Sequence, residues 1–395
     1  MKPMSRRTFV ASGAAVPVAA AVGTSSVAGQ VMFEGEGVLP GQSDGRRRVD
    51  FTGDGQALTP GEYAEALSQI VSRHGIRPDY YSLGGVVTEL EERMAAILGK
   101  ERAVFLPTGT LANHLAVRIQ SRGRPRVIVQ EESHIYNDSG DCSTVLSDLN
   151  LIPLARGGGT FTVGDVEAVL ERAGGGRVRT DVGVIVIESP IRRRLGELFD
   201  YDEMRRVCSF ARDRGIATHL DGARLFMASG YMGVSPQEIS DHFDTVYVSM
   251  WKYFNAPSGA ILAGPRVLLD DLFHDRRMFG GGLPHAWPFA AVALHYLDGF
   301  EDRFAAGIAA SEELIPALAG IDGAEVERVK GGSNVFKLHI ERVDPESVRA
   351  RLTEHQIAVP RPAAGFRGFA LKVNETLSRR PVADTVQAFS EALRA

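Results

Sequence analysis

Short apolar runs alternate with amphipathic stretches through the middle of the chain. The runs are continuous, as in RAVFL, RVIVQ, VGVIVI, IATHL, TVYV and GAILAG. Strands that are covered on both faces have this pattern, which is typical of a parallel sheet. Between the runs stand stretches such as TLANHLAVRIQ and DEMRRVCSFARDRG, whose apolar residues recur every three or four positions and predict helices. The alternation predicts an α/β fold with a mostly parallel sheet.

Helical patterns also flank this region. Thr59 precedes a proline and signals the start of a helix over residues 60–74, and a second helix is predicted over residues 87–98. After the last apolar run the chain turns helical and ends with two further strands, SNVFKLHI and GFALKV. We therefore predict a large α/β domain over residues 49–290 and a small C-terminal α+β domain over residues 291–395.

The beginning of the chain has the features of an export signal. Arg6 and Arg7 form a twin-arginine pair, a mildly apolar stretch follows, and small residues end at Ala28. We predict a signal peptide over residues 1–28, a linker over residues 29–48, and export to the periplasm or the extracellular space. No membrane attachment is expected after cleavage, and the alternative is a basic tail without a targeting role.

Composition and charge narrow the possible partners. The chain has 395 residues, of which 44% are hydrophobic and 24% charged, as in ordinary globular proteins. A net charge of −5 gives no basic field for nucleic acid. Cys142 and Cys208 lack metal-ligand spacing, so we expect buried free thiols and no metal site. Only six lysines are present, which leaves few candidates for a catalytic lysine.

Several polar residues follow directly after the predicted strands. Asp221 ends IATHLD, Gly109 and Thr110 follow RAVFLPT, His134 follows RVIVQ, and Lys252 follows TVYVSMW. In open α/β sheets, ligands bind beyond the carboxyl ends of the strands. We therefore expect these residues to meet in one site.

These residues match the parts that pyridoxal phosphate requires. The amine of Lys252 can form a covalent link with the aldehyde, and the carboxylate of Asp221 can keep the pyridine nitrogen protonated. Gly109 and Thr110 begin a helix whose backbone N–H groups can bind the phosphate. The ring of His134 can stack on the cofactor.

Each of these signals has an ordinary alternative when it is taken alone. A carboxylate after a strand often caps a helix, a Gly-Thr turn often starts one, and a single lysine is usually a surface charge. Ser249, three residues before Lys252, could add a hydroxyl to the phosphate site. The ordered set is more specific, because one ligand explains all of its members. The predicted cofactor is pyridoxal 5'-phosphate.

The motifs ESHIYNDSG, THLDGARLF and VSMWKYFNAPSGAILAG resemble the threonine aldolase and β-eliminating lyase family of fold-type I pyridoxal phosphate enzymes. The likeness covers most of the chain from about residue 49. It implies a fold-type I transferase-like architecture, a pyridinium partner at Asp221, the cofactor lysine at Lys252 and a stacked ring at His134. It also implies that Arg224 binds the substrate carboxylate, and that the protein is a homodimer or homotetramer.

The chain departs from the family where the substrate binds. The resemblance places Ile191 where the family has a histidine that meets the substrate hydroxyl. It places Gly53 and Ala370 where the family has residues that bind carboxylate, and Pro284 where it has an arginine. Arg192 and the two arginines after it could bind an anionic group of the substrate, and the alternative is a solvated basic loop.

The sequence as a whole predicts a pyridoxal phosphate-dependent lyase that acts on a small amino acid. The reaction is either aldol cleavage of the Cα–Cβ bond, which yields glycine and an aldehyde, or β-elimination. An aminotransferase or racemase of the same fold, with Lys252 moving the Cα proton, is the first alternative. An exported relative without catalytic activity is the second.

Overall fold

The computed structural model of the protein describes residues 48–121 and 123–394. The predicted signal peptide over residues 1–28 and nearly all of the predicted linker over residues 29–48 lie outside them. The strands are β1 (Val49–Asp50), β2 (Arg102–Leu106), β3 (Arg126–Gln130), β4 (Asn150–Leu154), β5 (Val182–Glu188), β6 (Ala217–Asp221), β7 (Thr245–Ser249), β8 (Ala260–Gly264), β9 (Ala324–Arg328), β10 (Val335–Ile340), β11 (Ile357–Ala358) and β12 (Gly368–Lys372).

The α-helices are α1 (Pro60–His74), α2 (Gly85–Ile97), α3 (Gly109–Ser121), α4 (His134–Asn137), α5 (Cys142–Ser147), α6 (Val163–Gly174), α7 (Tyr201–Asp213), α8 (Leu225–Met232), α9 (Pro236–Ser240), α10 (Arg266–Leu269), α11 (Leu272–Met278), α12 (Trp287–Leu297), α13 (Phe300–Ala319), α14 (Pro345–Glu354) and α15 (Val382–Leu393). Within the described part of the chain, two 3₁₀ turns cover Arg192–Arg194 and Glu375–Arg379. Among the described helices, none is long and apolar enough to cross a membrane.

The central sheet has seven strands in the order β2-β8-β7-β6-β5-β3-β4. Only β8 runs against the others, pairing antiparallel with β2 on one side and β7 on the other. Every residue of β5, β7 and β8 is buried, which explains their continuous apolar sequences. The predicted α/β fold with a mostly parallel sheet is confirmed.

A second, smaller sheet has its own hydrophobic core. Its strands β12-β10-β9 are antiparallel, and their apolar residues pack against α13, α14 and α15. The long helix α13 contributes to both hydrophobic cores. Phe300 and Phe304 belong to the core of the central sheet, and Leu314 and Leu318 belong to the core of the small sheet. The described residues cluster as one compact unit, and a domain boundary near residue 290 stays a prediction.

The segment after β1 connects the small sheet to the lysine loop of the large one. Val49 and Phe51 are completely buried in the small core. A few residues later the backbone passes so close to the loop that a Cβ on Gly55 would lie 2.5 Å from the carbonyl oxygen of Lys252. The N–H of Gln56 then donates to the side chain of Asn255. This path places residues 51–56 beside the candidate site.

Local sequence signals account for the start of α1 and for the state of the cysteines. Thr59 caps α1 as predicted: its hydroxyl accepts from the N–H of Glu62, whose carboxylate accepts from the N–H of Thr59. Cys208 is a buried free thiol on α7, as predicted. Cys142 is also a free thiol but is only partly buried, because it begins the short surface helix α5.

Candidate active site

The carboxyl ends of β5, β6 and β7 and the start of α3 surround a cavity of about 180 Å³. Its lining residues are Thr108, Gly109, Thr110, His134, Glu188, Arg192, Asp221, Ala223, Arg224, Tyr247, Trp251, Lys252 and Ser258. All of the predicted site residues except Ser249 are in this set. A larger cavity of about 750 Å³ between α1, α2 and α12 contains none of them.

The start of α3 forms one wall of the cavity. A Cβ on Gly109 would lie 2.0 Å from the hydroxyl oxygen of Tyr247, so only glycine fits at this position. The hydroxyl of Thr108 accepts from the N–H of Leu111 and caps the first turn. Ser249 is fully buried and does not line the cavity, so its contribution to the phosphate site stays a prediction. A thirteen-residue helix that begins at the cavity fits a phosphate group.

Asp221 lies at the end of β6, with only 2% of its surface exposed. Its Oδ2 accepts from the Nδ2 of Asn113 at 2.6 Å, and its Oδ1 accepts from the N–H of Ala223 at 3.2 Å. A buried carboxylate needs donors of this kind. Because Asp221 lines the cavity, its carboxylate fits the protonated nitrogen of a pyridine ring.

Lys252 is the only lysine of the described residues that lines the cavity. Burial, together with the positive charge of Arg224, lowers its pKa to about 8, although nearby carboxylates oppose the shift. An amine with this pKa is unprotonated in part of the molecules at neutral pH, as attack on an aldehyde requires. The Nζ lies 5.2 Å from the ring centre of Trp251.

Glu188 joins the loop of His134 to the loop of Arg192. Its Oε2 accepts from the backbone N–H of His134 at 2.5 Å, and its Oε1 accepts from that of Arg192 at 3.0 Å. Burial and the negative charge of Asp221 raise the pKa of Glu188 to about 8. The side chain of His134 is oriented further by Ser139, whose hydroxyl lies 3.3 Å from Nδ1. Both loops are therefore tied to the end of β5.

Arg224 is paired with an internal carboxylate. Its Nε and Nη2 each lie 2.9 Å from Oδ2 of Asp54, and Nζ of Lys372 lies 3.4 Å from Oδ1. Burial opposes the ionisation of Asp54, but Arg224 and Lys372 outweigh it and hold its pKa well below the usual range. The cluster has two positive groups and one negative group, so its net charge is positive.

Known proteins share this combination of sequence and fold. The model of the "Beta-eliminating lyase" family matches residues 65–341. The chain belongs to the β-eliminating lyase family. It is a pyridoxal phosphate-dependent lyase, as the sequence predicted.

Named relatives of the lyase include several threonine aldolases. It is 24% identical to the low-specificity L-threonine aldolase 1 of Arabidopsis thaliana, over 88% of this chain and 97% of that protein. It is 27% identical to the low specificity L-threonine aldolase of Escherichia coli, over 59% of this chain and 69% of that protein. The crystal structure of a putative L-allo-threonine aldolase from Listeria monocytogenes has the same fold. There the TM-score is 0.73 and the identity 24%, over 88% of this chain and 97% of that one.

The loop after β5 differs from what the sequence predicted for this lyase. Ile191 is completely buried beside Gly159 and does not line the cavity, although the resemblance places it where the family has a histidine that meets the substrate. The next residue, Arg192, lines the cavity instead, and its Nη2 donates to Oδ2 of Asp138 at 2.6 Å. Arg193 pairs with Glu132 at 3.0 Å. The arginine run is thus engaged with carboxylates of this chain.

Sequence reasoning assigned no role to Asp54, Asn113, Glu188 and Tyr247. Asn113 could have been found, because it lies four residues after Gly109 and therefore on the same face of α3. The only sequence signal of Glu188 is its place directly after an apolar strand. Asp54 and Tyr247 carry no motif, and their partners are distant in sequence.

Proposed function

We propose that the lyase cleaves the Cα–Cβ bond of a small β-hydroxy amino acid, giving glycine and an aldehyde. One observation carries the proposal: Lys252, Asp221, His134 and Arg224, which lie far apart in sequence, line a single cavity. Relatives named as low-specificity L-threonine aldolases support this type of cleavage. We propose further that the preferred substrate carries a second acidic group.

Bound pyridoxal phosphate supplies a ring that accepts the electron pair left at Cα. Lys252 would hold its aldehyde, and Asp221 would hold a proton at the pyridine nitrogen. The N–H groups of Gly109 and Thr110 would bind the phosphate, and the ring of His134 would cover the cofactor. The walls formed by these residues exclude water and so strengthen each of the charged interactions.

The α-carboxylate of the substrate is assigned to the cluster of Arg224, Asp54 and Lys372. Its net positive charge fits one added carboxylate, and guanidinium binds carboxylate with two parallel hydrogen bonds. Lys372 lies two residues beyond Ala370 in β12, so the two side chains point to the same side of the sheet. Lys372 thus supplies a cation close to the position where the family arginine is absent.

The second acidic group is assigned to Arg192. This residue lines the cavity, and its partner Asp138 is itself partly exposed at the surface. A carboxylate of the substrate can replace Asp138 as the partner of the guanidinium. Threonine offers no such group and would leave the pair as it is.

A single substrate separates the two reactions of the family. Aldol cleavage of β-hydroxyaspartate yields glycine and glyoxylate, whereas elimination of water yields oxaloacetate and ammonia. We expect glycine and glyoxylate from the holoenzyme, with kcat/KM above that for threonine. The ratio of kcat/KM for β-hydroxyaspartate to kcat/KM for threonine should fall about tenfold in Arg192→Ala, because a charged hydrogen-bonded pair is lost. Oxaloacetate as the main product, or threonine as the better substrate in both proteins, would contradict the proposal.

We also propose a homodimer or homotetramer. Tyr80, Leu83 and Met278 expose 70%, 50% and 62% of their surfaces, which is unusual for large apolar side chains. They adjoin the glycine turn at residues 280–282, where a Cβ on Gly281 would meet a side chain at the start of α3. The cavity of about 180 Å³ is smaller than the roughly 300–1,000 Å³ of most ligand pockets, and a partner would extend it. Light scattering that finds an active monomer would refute this.

Export by the twin-arginine route is proposed from the sequence, in which the pair Arg6 and Arg7 is followed by a mildly apolar stretch and by small residues that end at Ala28. The mature enzyme would then act in the periplasm or outside the cell, without a membrane anchor. Fractionation of cells that express the full chain should find it exported, and the double substitution Arg6→Lys, Arg7→Lys should retain it in the cytoplasm. Retention of the unchanged chain in the cytoplasm would argue for a basic tail instead.

A further inference from the structure

A chain of buried hydrogen bonds leads from Asp221 away from the cavity. Asn113 Nδ2 donates to Asp221 Oδ2 at 2.6 Å, and the Nε2 of His219 lies 3.0 Å from Asn113 Oδ1. The Nδ1 of His219 lies 2.8 Å from the Oγ1 of Thr245, to which Gln120 Nε2 donates at 2.6 Å. Each of the four linking side chains is at most 1% exposed. We call these four residues the Asp221 support chain.

The fold brings the support chain together from two places. Asn113 and Gln120 are seven residues apart on α3, so they lie on the same face of the helix. His219 and Thr245 are direct partners in the register of β6 and β7. The chain therefore fills the space between α3 and the centre of the sheet.

The direction of every bond in the support chain is determined by its members. Burial lowers the pKa of His219 to about 4, so the ring is neutral and carries one N–H. The amide of Asn113 donates to Asp221, so its oxygen accepts, and the N–H of His219 must be at Nε2. The Nδ1 then accepts from the hydroxyl of Thr245, whose oxygen accepts from Gln120. In each bond, the acceptor is therefore the group that lies nearer to Asp221 along the support chain.

We propose that Asn113, His219 and Thr245 are positioning residues for the pyridine nitrogen of the cofactor. None of the three lines the cavity, so they act through Asp221. The donated hydrogen bond fixes one oxygen of Asp221 and stabilises its charged form, while aligned bonds in a row strengthen one another. The other oxygen, Oδ1, accepts from the N–H of Ala223 and keeps a lone pair for the ring nitrogen. This inference rests on the proposed role of Asp221.

A purely structural role would have a different signature. Side chains that only fill the core would affect the binding of any cofactor of the same shape. Side chains that act through Asp221 would affect only a cofactor whose ring nitrogen can be protonated. The 1-deaza analogue of pyridoxal phosphate, in which carbon replaces the ring nitrogen, separates the two roles.

The test is the affinity of the apoprotein for pyridoxal phosphate and for its 1-deaza analogue. We expect the unchanged protein to prefer pyridoxal phosphate, and the preference to fall about tenfold or more in His219→Leu. His219→Gln keeps a donor toward Asn113, so this variant should retain most of the preference for pyridoxal phosphate over the analogue. The matched control is His114→Leu, because His114 is also buried on α3 but bonds Ser147, outside the support chain. It should keep the full preference.

The outcomes separate the support chain from Asp221 itself. If Asp221→Ala loses the preference and His219→Leu keeps it, Asp221 has its proposed role and the support chain is only structural. If the unchanged protein shows no preference, both assignments are wrong. Thr245→Val, which removes only the far hydroxyl, replaces His219→Leu if that variant does not fold, and an unchanged preference in it would overturn the proposal.

Discussion

The two ends of the cavity are built from different kinds of structure. At the cofactor end, Asp221 ends a central strand, Gly109 begins a long helix, and Lys252 follows a fully buried strand. These positions are fixed by the register of the sheet. At the substrate end, Arg192 and Arg224 lie in connections between elements and are held by ion pairs.

Because of this contrast, one end of the site can change without loss of the fold and the other cannot. The cofactor end is tied to the core through side chains such as Asn113, so a substitution there disturbs the sheet as well as the ligand. At the substrate end the Arg192 side chain is 49% exposed and its partner Asp138 is 23% exposed. Ion pairs this exposed contribute little to stability. New substrates can therefore arise there at small structural cost.

The largest expected effect is at the centre of the cofactor end. Lys252→Ala should abolish covalent attachment of pyridoxal phosphate, because no other described lysine lines the cavity. Borohydride reduction followed by peptide mapping measures the attachment. Lys337→Ala, which removes a lysine paired with Glu327 in the small sheet, is the control and should retain the label. A label on Lys100 in the unchanged protein would break the assignment.

Asp54→Asn tests whether the buried part of the substrate end also supports the fold. Removing one partner of a buried ion pair costs about 3–5 kcal/mol, so the free energy of unfolding at pH 7 should fall by this amount. The depressed pKa of Asp54 implies a stabilising contribution that is present above the ordinary value of 3.8 and lost as the pH falls below it. The variant should therefore lose less stability in acid than the unchanged protein.

Denaturant titration at pH 7 and pH 3 measures both effects of Asp54→Asn. Asp322→Asn is the control, because its partner Arg342 and Asp322 itself are largely exposed. The control should unfold like the unchanged protein. If Asp54→Asn and Asp322→Asn have the same free energy of unfolding, the buried ion pair of Asp54 contributes no more to stability than an exposed surface pair.

The pH dependence of cofactor attachment is determined by residues at both ends of the cavity. Because the free amine attacks, the rate should rise about tenfold per pH unit and level off above the Lys252 pKa of about 8. Arg224 contributes to this low pKa, so Arg224→Gln should move the plateau to higher pH. Stopped-flow absorbance of the apoprotein measures the rate. A rise that continues to pH 10 in the unchanged protein would contradict the lowered pKa.

The fold was predictable where both faces of a strand are buried. Continuous apolar runs identified β3, β5, β6, β7 and β8, because these strands lie inside the sheet, and β2, which is an edge strand but has four of its five residues buried. β4 was missed, because it is an edge strand with partly exposed residues and a proline. β9, whose sequence is AEVER, was missed for the same reason, since it is the exposed edge of the small sheet.

The cofactor end was predictable from sequence, whereas at the substrate end Arg192 and Arg224 were predicted but their carboxylate partners were not. Gly109, Asp221 and Lys252 stand next to strands or helix starts, so their positions follow from local pattern. Arg224 depends on Asp54, which is 170 residues away in sequence. The support of Asp221 likewise comes from a side chain 108 residues away. No local sequence pattern predicts contacts between residues that are so far apart in the chain.

The smallest expected effect is at the outer rim of the substrate end. Arg193 pairs with Glu132 and Asp138, is 40% exposed and does not line the cavity. Arg193→Ala should leave the denaturant midpoint unchanged and kcat/KM for β-hydroxyaspartate within about twofold, as for most exposed ion pairs. Steady-state kinetics beside Arg192→Ala measure the difference between the two neighbours. If both variants lose activity equally, the loop acts through its summed charge, and the substrate end is not built around one arginine.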